Sequence, residues 1–399
     1  MKVLLLSCST GEGHNHCALA VKEALEARGH ETEFLDMLHM FGEPGPLSFD
    51  KVLNRISSKT PELFGMMYHA GAMYSATGVT SPVYLANIRH VRQLNEFIIQ
   101  RGYDAVVCSH LFPMETLTFL RRHEKCTVKC YGVLSDYTCI PFLAETELDG
   151  YFLPHEEVFD LCVQAGMPKD KLIVSGMPVA ERFKTKLDKA TARDILGLPM
   201  DKRIYLIMTG GIGCGDAVSL CDAIRRVPDD NALLCVLPGR NEELREMLDE
   251  KYHGAGVTAI PFTDKVAEYM RAADVLLSKA GGISSSEAAV LGVPLVHTMA
   301  IPGVETLNAE FFAAHGMSFF AQNVDEAARF FHQKLARMEN GGGARIRTAR
   351  AAVRRGVLLR QCEKHFTGGK WYGENFPAHF FALHRCAPRC YSYPDGRFR

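Results

Sequence analysis

The 399-residue chain contains no apolar run approaching the ~18 residues that a bilayer-spanning helix requires, so no membrane span is expected. It contains no Cys-x-x-Cys pair. The nearest spacings, Cys126/Cys130 and Cys386/Cys390, have no matching histidine cluster, which argues against a zinc or disulfide framework. The thirteen cysteines then read mainly as small hydrophobes (Cys8, Cys17, Cys108, Cys214 and Cys235 adjoin apolar segments) in a reducing compartment. Residues 1–6 run straight into Ser7-Cys8-Ser9-Thr10-Gly11, too short an apolar stretch for a signal peptide, so a cytoplasmic location is expected. Net charge is also scarce: 45 Lys+Arg against 46 Asp+Glu. With 47% hydrophobic and 23% charged residues, the composition is that of a folded globular protein, long enough for two domains and an appendage.

The neutral total conceals an asymmetry. Residues 341–399 carry 10 Arg and 2 Lys against 3 acidic residues, leaving the first 340 residues at −10. This tail has no clear period. It reads as a poorly ordered ending, as a basic patch for anionic lipid or nucleic acid, or as an ending altered by a frameshift. Before it, short β-rich runs alternate with helical periods. Strands are expected at 2–7, 31–36, 104–109, 127–134, 150–153 and 172–175, with helices such as 14–28 and 84–101 between them. After a turn-rich connection near 176–202 the pattern restarts, with strands at 203–208, 232–237, 256–260, 274–278, 295–297 and 318–320. Repeated βα units imply two doubly wound α/β domains that bind ligands beyond the carboxyl ends of their strands.

Three glycine-rich turns follow such strands. The first reads Ser9-Thr10-Gly11-Glu12-Gly13-His14-Asn15-His16. Its glycines permit close ligand approach at a helix amino terminus. A dinucleotide fingerprint would place glycine where His16 stands, although Asp36 closes the second strand at a distance suited to a ribose-binding acid, so NAD stays open. His14 is either a general base at the cleft or an exposed or capping histidine. The second turn, Thr209-Gly210-Gly211-Ile212-Gly213-Cys214-Gly215-Asp216, is a ligand loop or a tight strand-to-helix turn. The third, Lys279-Ala280-Gly281-Gly282-Ile283-Ser284-Ser285-Ser286-Glu287, sets two glycines and three serines at a helix start. Free N–H groups and hydroxyls there suit a diphosphate without a metal, and Glu287 suits ribose hydroxyls; plain helix capping is the alternative. No Asp-x-Asp pair is placed to hold Mg²⁺ on a diphosphate. Residues 63–88 hold no Asp, Glu, Lys or Arg but include Gly71, Gly78 and Pro82. They read as an interfacial segment dipping into a headgroup layer, or as side chains packed under the sheet.

Taken with Ser135-Asp136-Tyr137-Thr138, Asp149-Gly150-Tyr151-Phe152-Leu153-Pro154, Ser175-Gly176-Met177-Pro178-Val179, Gly239-Arg240-Asn241, Pro261-Phe262-Thr263 and Ile301-Pro302-Gly303-Val304-Glu305-Thr306-Leu307-Asn308, these turns resemble one family in order. The chain resembles the GT-B glycosyltransferases that move sugar from UDP-sugars to diacylglycerol: the monogalactosyldiacylglycerol synthases and processive diacylglycerol glucosyltransferases. The resemblance implies two Rossmann-like domains facing a cleft, with residues 1–178 for the lipid acceptor, 179–202 as linker, 203–340 for UDP-sugar, and 341–399 as a basic tail. It implies His14 as base; Gly281, Gly282, Ser284 and Ser285 at the diphosphate; Glu287 at the ribose; Phe262 and Thr263 at uracil; and Glu305 and Asn308 at the sugar hydroxyls. Gly13, Gly211 and Arg240 belong to the same binding set. No metal and no other cofactor is expected. The expected partners are a UDP-hexose, diacylglycerol or a related lipid, and an anionic membrane surface on the inner face of the plasma membrane, with no nucleic acid. Two positions depart from the family: Val304 replaces a glutamine, and Cys139-Ile140 stands where a histidine is usual. A UDP-GlcNAc transferase acting on a polyprenyl-linked peptidoglycan precursor, and a catalytically silent UDP-sugar-binding protein, are the alternatives.

Overall fold

Runs such as Val3-Leu4-Leu5-Leu6 and Ile204-Tyr205-Leu206-Ile207 show no polar alternation, so a strand made from them needs cover on both faces. The computed structural model supplies that cover. It describes residues 1–40, 56, 60–87, 91–123, 126–211, 217–226 and 231–330; the basic tail, Cys214 and the Cys386/Cys390 pair lie outside them. Strands β1 (Lys2–Ser7), β2 (Glu31–Asp36), β3 (Ala105–Cys108), β4 (Lys129–Val133), β5 (Gly150–Leu153) and β6 (Leu172–Val174) form one sheet. Strands β7 (Arg203–Met208), β8 (Ala232–Leu237), β9 (Val257–Ala259), β10 (Val275–Lys279), β11 (Leu295–Met299) and β12 (Ser318–Phe320) form a second. Every pairing in both is parallel.

The strand orders decide where ligands fit. The first sheet runs β2-β1-β3-β4-β5-β6 and the second β12-β11-β10-β7-β8-β9. Winding reverses between β1 and β3 in the first, and between β7 and β10 in the second. Such switch points open a crevice at the carboxyl ends. The turn bearing His14 leaves β1, and the turns bearing Gly211 and Gly282 leave β7 and β10. The helices Glu12–Glu26 and Gly282–Leu291 both begin at this crevice and pack on one another.

The core of the first sheet, built on Leu4, Leu5, Leu6, Val106 and Leu153, continues into Ile283, Ala289, Phe311 and Phe312 of the second half. Each fully buried side chain of this kind contributes roughly 1.5–3 kcal/mol, so the seam between halves is apolar as well as polar. Residues 179–202 form helices Glu181–Lys184 and Lys189–Leu196, and Val179, Phe183 and Ala192 are buried, the first two in the core beneath the second sheet. The helix expected over 84–101 is divided into Pro82–Asn87 and Val91–Arg101, with residues 88–90 not described. No disulfide joins the described cysteines, and Cys8, Cys17, Cys108 and Cys235 are buried. No helix among the described residues is long and apolar enough to cross a membrane.

Candidate active site

The first edge of the crevice is wired internally. His14 Nδ1 lies 3.0 Å from the Ser109 carbonyl and 2.9 Å from Ser135 Oγ. A carbonyl only accepts, so Nδ1 carries the proton and Nε2 keeps its lone pair. Ser135 Oγ in turn donates to Asp136 Oδ2 at 3.1 Å. Burial holds the His14 pKa below its ordinary value, against the opposing pull of Asp136 and the Ser109 carbonyl. The result is a neutral, oriented imidazole. His110 stands edge-on to it, with ring centroids 4.6 Å apart. His110 Nδ1 accepts from the Phe112 amide (3.2 Å) and Nε2 meets Thr10 Oγ1 (2.8 Å), so its own proton is committed. A small recess is lined by His14, Ser135, Asp136, Leu111, Met114, Ile140 and Leu143.

Asp36, the acid a dinucleotide would need, is already used: its carboxylate accepts from Ser9 Oγ and, at 3.0 Å, from the Leu38 amide.

The second edge is different. Glu287 is buried at 5% exposure and takes no hydrogen bond from the described residues, while burial pushes its pKa up to about 8 against the pull of Arg182. A buried carboxyl without a donor is costly unless a ligand supplies one. Lys279 ends β10, pairs with Glu305, and lies close enough to His14 to lower its pKa. Glu305 also accepts from the Ile301 amide at 3.0 Å. Of the serine triplet, Ser284 alone is half-exposed beside Gly281. Ser285 points inward to His297 Nε2 (2.9 Å), and Ser286 bonds the Gly282 carbonyl (2.6 Å) and Tyr137 Oη (2.8 Å). The helical phase turns the Ser285 hydroxyl toward the core.

Several predicted residues instead join the two halves. A Cβ on Gly282 would collide with the Ser135 carbonyl oxygen, so this glycine lets the helix start meet the first domain's backbone. Asn308 is fully buried; its Oδ1 accepts from the Tyr137 amide (2.8 Å) and its Nδ2 donates to Asp136 Oδ1 (2.8 Å) and the Ala280 carbonyl (3.2 Å). With both amide hydrogens and its carbonyl oxygen engaged, Asn308 is a clasp rather than a contact held open for sugar. Gly211 meets Glu12, whose carboxylate bonds Arg240 at 2.8 Å. Arg240 also lies over the exposed Phe262 ring, 4.5 Å from its centroid. Thr263 Oγ1 accepts from the Lys265 amide at 3.1 Å. Gly13 leaves open space beside His14. Sequence reasoning missed Ser109, His110, Ser135 and Lys279 as site residues. The position of Ser109 and His110 directly after β3, at the switch point, is the signal that would have found those two.

The uncharged segment forms the helix Pro61–Ser75 and the short helix Pro82–Asn87. Met66 is 69% and Met73 76% exposed, with Leu63, Met67, Val79 and Leu85 also outward. The inner face of the longer helix touches both halves. Gly65 meets Pro302, Tyr68 presses on Gly303, and Gly71 meets Phe142.

Residues 14–179 match the family described as monogalactosyldiacylglycerol (MGDG) synthase, and residues 220–354 match the glycosyltransferase family 28 C-terminal domain. A processive diacylglycerol β-glucosyltransferase of Bacillus cytotoxicus is 26% identical over 346 residues, covering 85% of this chain and 86% of its own length. That of Bacillus cereus is 27% identical over 332 residues, covering 82% and 83%. Among solved structures, MurG of Acinetobacter baumannii has a TM-score of 0.51 at 16% identity, covering 84% of this chain and 91% of its own. The glycosyltransferase of kitacinnamycin has a TM-score of 0.54 at 14% identity, covering 88% and 95%. Two parallel-sheet halves facing across their switch points give the GT-B fold shared with these structures, and the family 28 domain with the diacylglycerol glucosyltransferase relatives makes the chain a glycosyltransferase of that class. More narrowly, each half matches a family domain, and over most of its length the chain is similar to the processive diacylglycerol glucosyltransferases.

Proposed function

We propose that the protein transfers a hexose from a UDP-sugar to diacylglycerol, or to glycosyldiacylglycerol, with inversion and at a membrane surface. The observation that carries this reading is the pairing of His14, oriented and neutral, with a helix start that holds a buried Glu287 to which no described residue donates a hydrogen bond. In this reading residues 1–178 receive the acceptor and residues 203–340 the donor. The acceptor hydroxyl gives its proton to His14 Nε2 as its oxygen attacks the anomeric carbon. The bond from that carbon to the diphosphate oxygen breaks, and its electron pair leaves with UDP. Asp136, acting through Ser135, stabilises the imidazolium. The first-turn N–H groups at Gly281–Ser284 and the Lys279 ammonium offset the charge on the leaving diphosphate. Glu287 accepts from the ribose hydroxyls, and Phe262 with Arg240 forms the surface against which uracil rests. No residue here is assigned to a metal, and the chemistry asked of these groups requires none.

The curated relatives are named for β-glucosyl transfer to diacylglycerol. A β product from an α-linked nucleotide sugar fits a single displacement with one base. The small recess beside His14 brings Ser135 and Asp136 together with Leu111, Met114, Ile140 and Leu143, which suits a hydroxyl carried on an apolar molecule. The exposed methionines of the Pro61–Ser75 helix would enter the headgroup layer, directly above the Pro302–Gly303 turn, so a lipid has a short path to the base. An anionic leaflet, such as the inner face of the plasma membrane, fits the basic tail. The test is transfer from a panel of UDP-hexoses to diacylglycerol vesicles and to a polyprenyl-linked acceptor, read by mass spectrometry. Hexosyl-diacylglycerol is the expected product; product on the polyprenyl acceptor alone, or none at all, would overturn the reading.

A further inference from the structure

Beside the cleft, three side chains from opposite halves converge without any part in the transfer chemistry. His155 follows β5 and caps the helix Glu156–Gln164, Glu157 lies in that helix's first turn, and His315 caps the carboxyl end of the helix Val304–Ala314. Each offers one ligand atom, and the three atoms lie within 4.8 Å of one another. His315 Nε2 is 2.9 Å from Glu157 Oε1, and His155 Nδ1 is 3.9 Å from the same oxygen.

The proton positions make this cluster unusual. His315 Nδ1 lies 2.8 Å from the Phe311 carbonyl, which only accepts, so Nδ1 bears the hydrogen. In the neutral ring Nε2 then presents a lone pair to a carboxylate oxygen, and two acceptors face each other. A second proton or a cation between them relieves the conflict. An imidazole whose outer nitrogen is tied to a backbone carbonyl is also the arrangement that orients metal-bound histidines. Phe311 supplies an apolar wall, with its ring centroid 4.2 Å from that of His315 and 4.9 Å from that of His155. A helix carboxyl end and a helix amino end meet here, so their dipoles offset and the three ligands must provide the attraction.

We propose that His155, Glu157 and His315 form a binding site for one divalent transition-metal ion of the Zn²⁺ class, which clasps the two halves beside the cleft. Two imidazoles and a carboxylate are a recognised zinc set that leaves a fourth position for water. Ligand atoms about 2.0–2.2 Å from a tetrahedral ion stand roughly 3.4 Å apart. The separations of 2.9 and 3.9 Å bracket that value. The remaining pair needs only a small side-chain rotation to close. Coordination through His155 Nδ1 replaces the 3.2 Å bond it accepts from the Glu157 amide. The site lies one strand along from β4, whose end delivers Ser135 and Asp136, and the His315 helix is the one that carries Asn308. A bound ion would therefore hold the cleft closed rather than touch the reacting atoms.

The test is a titration of the full chain with Zn²⁺ by calorimetry, and with Co²⁺ by absorption, using His155→Ala, His315→Ala and Glu157→Gln. The expected result is one tight site whose Co²⁺ spectrum lacks the thiolate charge-transfer bands that a cysteine site would give. Each substitution should weaken binding on the order of 10–100-fold or more, since even outer-shell changes cost that much. Glu157 is largely exposed, so Glu157→Gln remains informative if a histidine variant fails to fold. No binding, binding indifferent to all three substitutions, or thiolate bands would overturn the site and leave an imidazolium–carboxylate pair. Sugar transfer is not the readout, so failure here is distinguishable from failure of the transferase reading.

Discussion

The two edges of the crevice solve opposite problems with the same architecture. At the first, the groups that orient His14 are tied to one another: Ser109 and Ser135 hold Nδ1, Asp136 backs Ser135, and Thr10 with the Phe112 amide fixes His110. At the second, Glu287 is buried and takes no hydrogen bond from the described residues. A base must be aimed before its substrate arrives, because orientation is most of what it contributes. A donor pocket instead gains affinity by leaving a polar group for the ligand to satisfy. Protein bonds complete one edge, and a nucleotide would complete the other.

Breaking the first edge should have the largest effect. His14→Ala is expected to lower transfer by ~10²-fold or more while UDP affinity, measured by calorimetry, stays within about twofold. A variant that kept its turnover would remove His14 as the base and dissolve the contrast. The second edge should respond the other way. Above about pH 8, where Glu287 is ionised, Glu287→Ala removes a charged acceptor, worth roughly 1.5–3 kcal/mol, so UDP should bind about 10–100-fold more weakly there. Glu287 also leaves a signature in the ligand-free protein. Its folded pKa of about 8 lies above the ordinary value of 4.5. Its contribution to stability is therefore complete below about pH 4.5 and is lost as pH rises through about 8, a swing of at most roughly 5 kcal/mol. Thermal melts from pH 5 to 9 should show a steeper decline for the native chain than for Glu287→Gln.

How far the sequence revealed these edges depends on where each side chain's partners lie. All twelve expected strands are present because parallel strands covered on both faces appear as unbroken apolar runs. Once the strands are placed, the turns after β1, β7 and β10 mark the crevice, so His14, Gly281 and Glu287 are visible from local pattern alone. Helical phase was not. Ser284, Ser285 and Ser286 look equivalent in the sequence, yet only packing decides that Ser285 meets His297 and Ser286 meets Tyr137. Asn308 was opaque for a different reason: its Asp136 partner is 172 residues away, a contact no local signal encodes. The connector reads as a linker from its turn-rich composition, which gives no local sign that Val179 and Phe183 are buried under the second sheet.

A smaller effect separates the lipid-facing surface from both edges. Met66 and Met73 are among the most exposed large apolar side chains of the described residues. Each methionine transferred into the headgroup boundary contributes about 1.5 kcal/mol, roughly a tenfold change in partitioning. Met73→Glu should reduce co-sedimentation with vesicles about tenfold while transfer to a short-chain, water-soluble acceptor remains unchanged. Equal loss on both acceptors would assign Met73 to the folded body rather than to a membrane-facing surface.

The pH profile offers the mildest and most discriminating test of the first edge. A base works when unprotonated, and burial lowers the His14 pKa below its ordinary 6.5. The protonated fraction at any acid pH is therefore smaller than for a free imidazole, and the acid limb of kcat/KM moves downward. An unshifted histidine would lose about threefold between pH 7 and pH 6; this enzyme should lose less. Removing the opposing Asp136 pull with Asp136→Asn should move the limb further down, because that carboxylate favours the charged ring. Were the limb to rise instead, the imidazolium would be the working form, and His14 would act as an acid or an electrostatic contact rather than as the proton's destination.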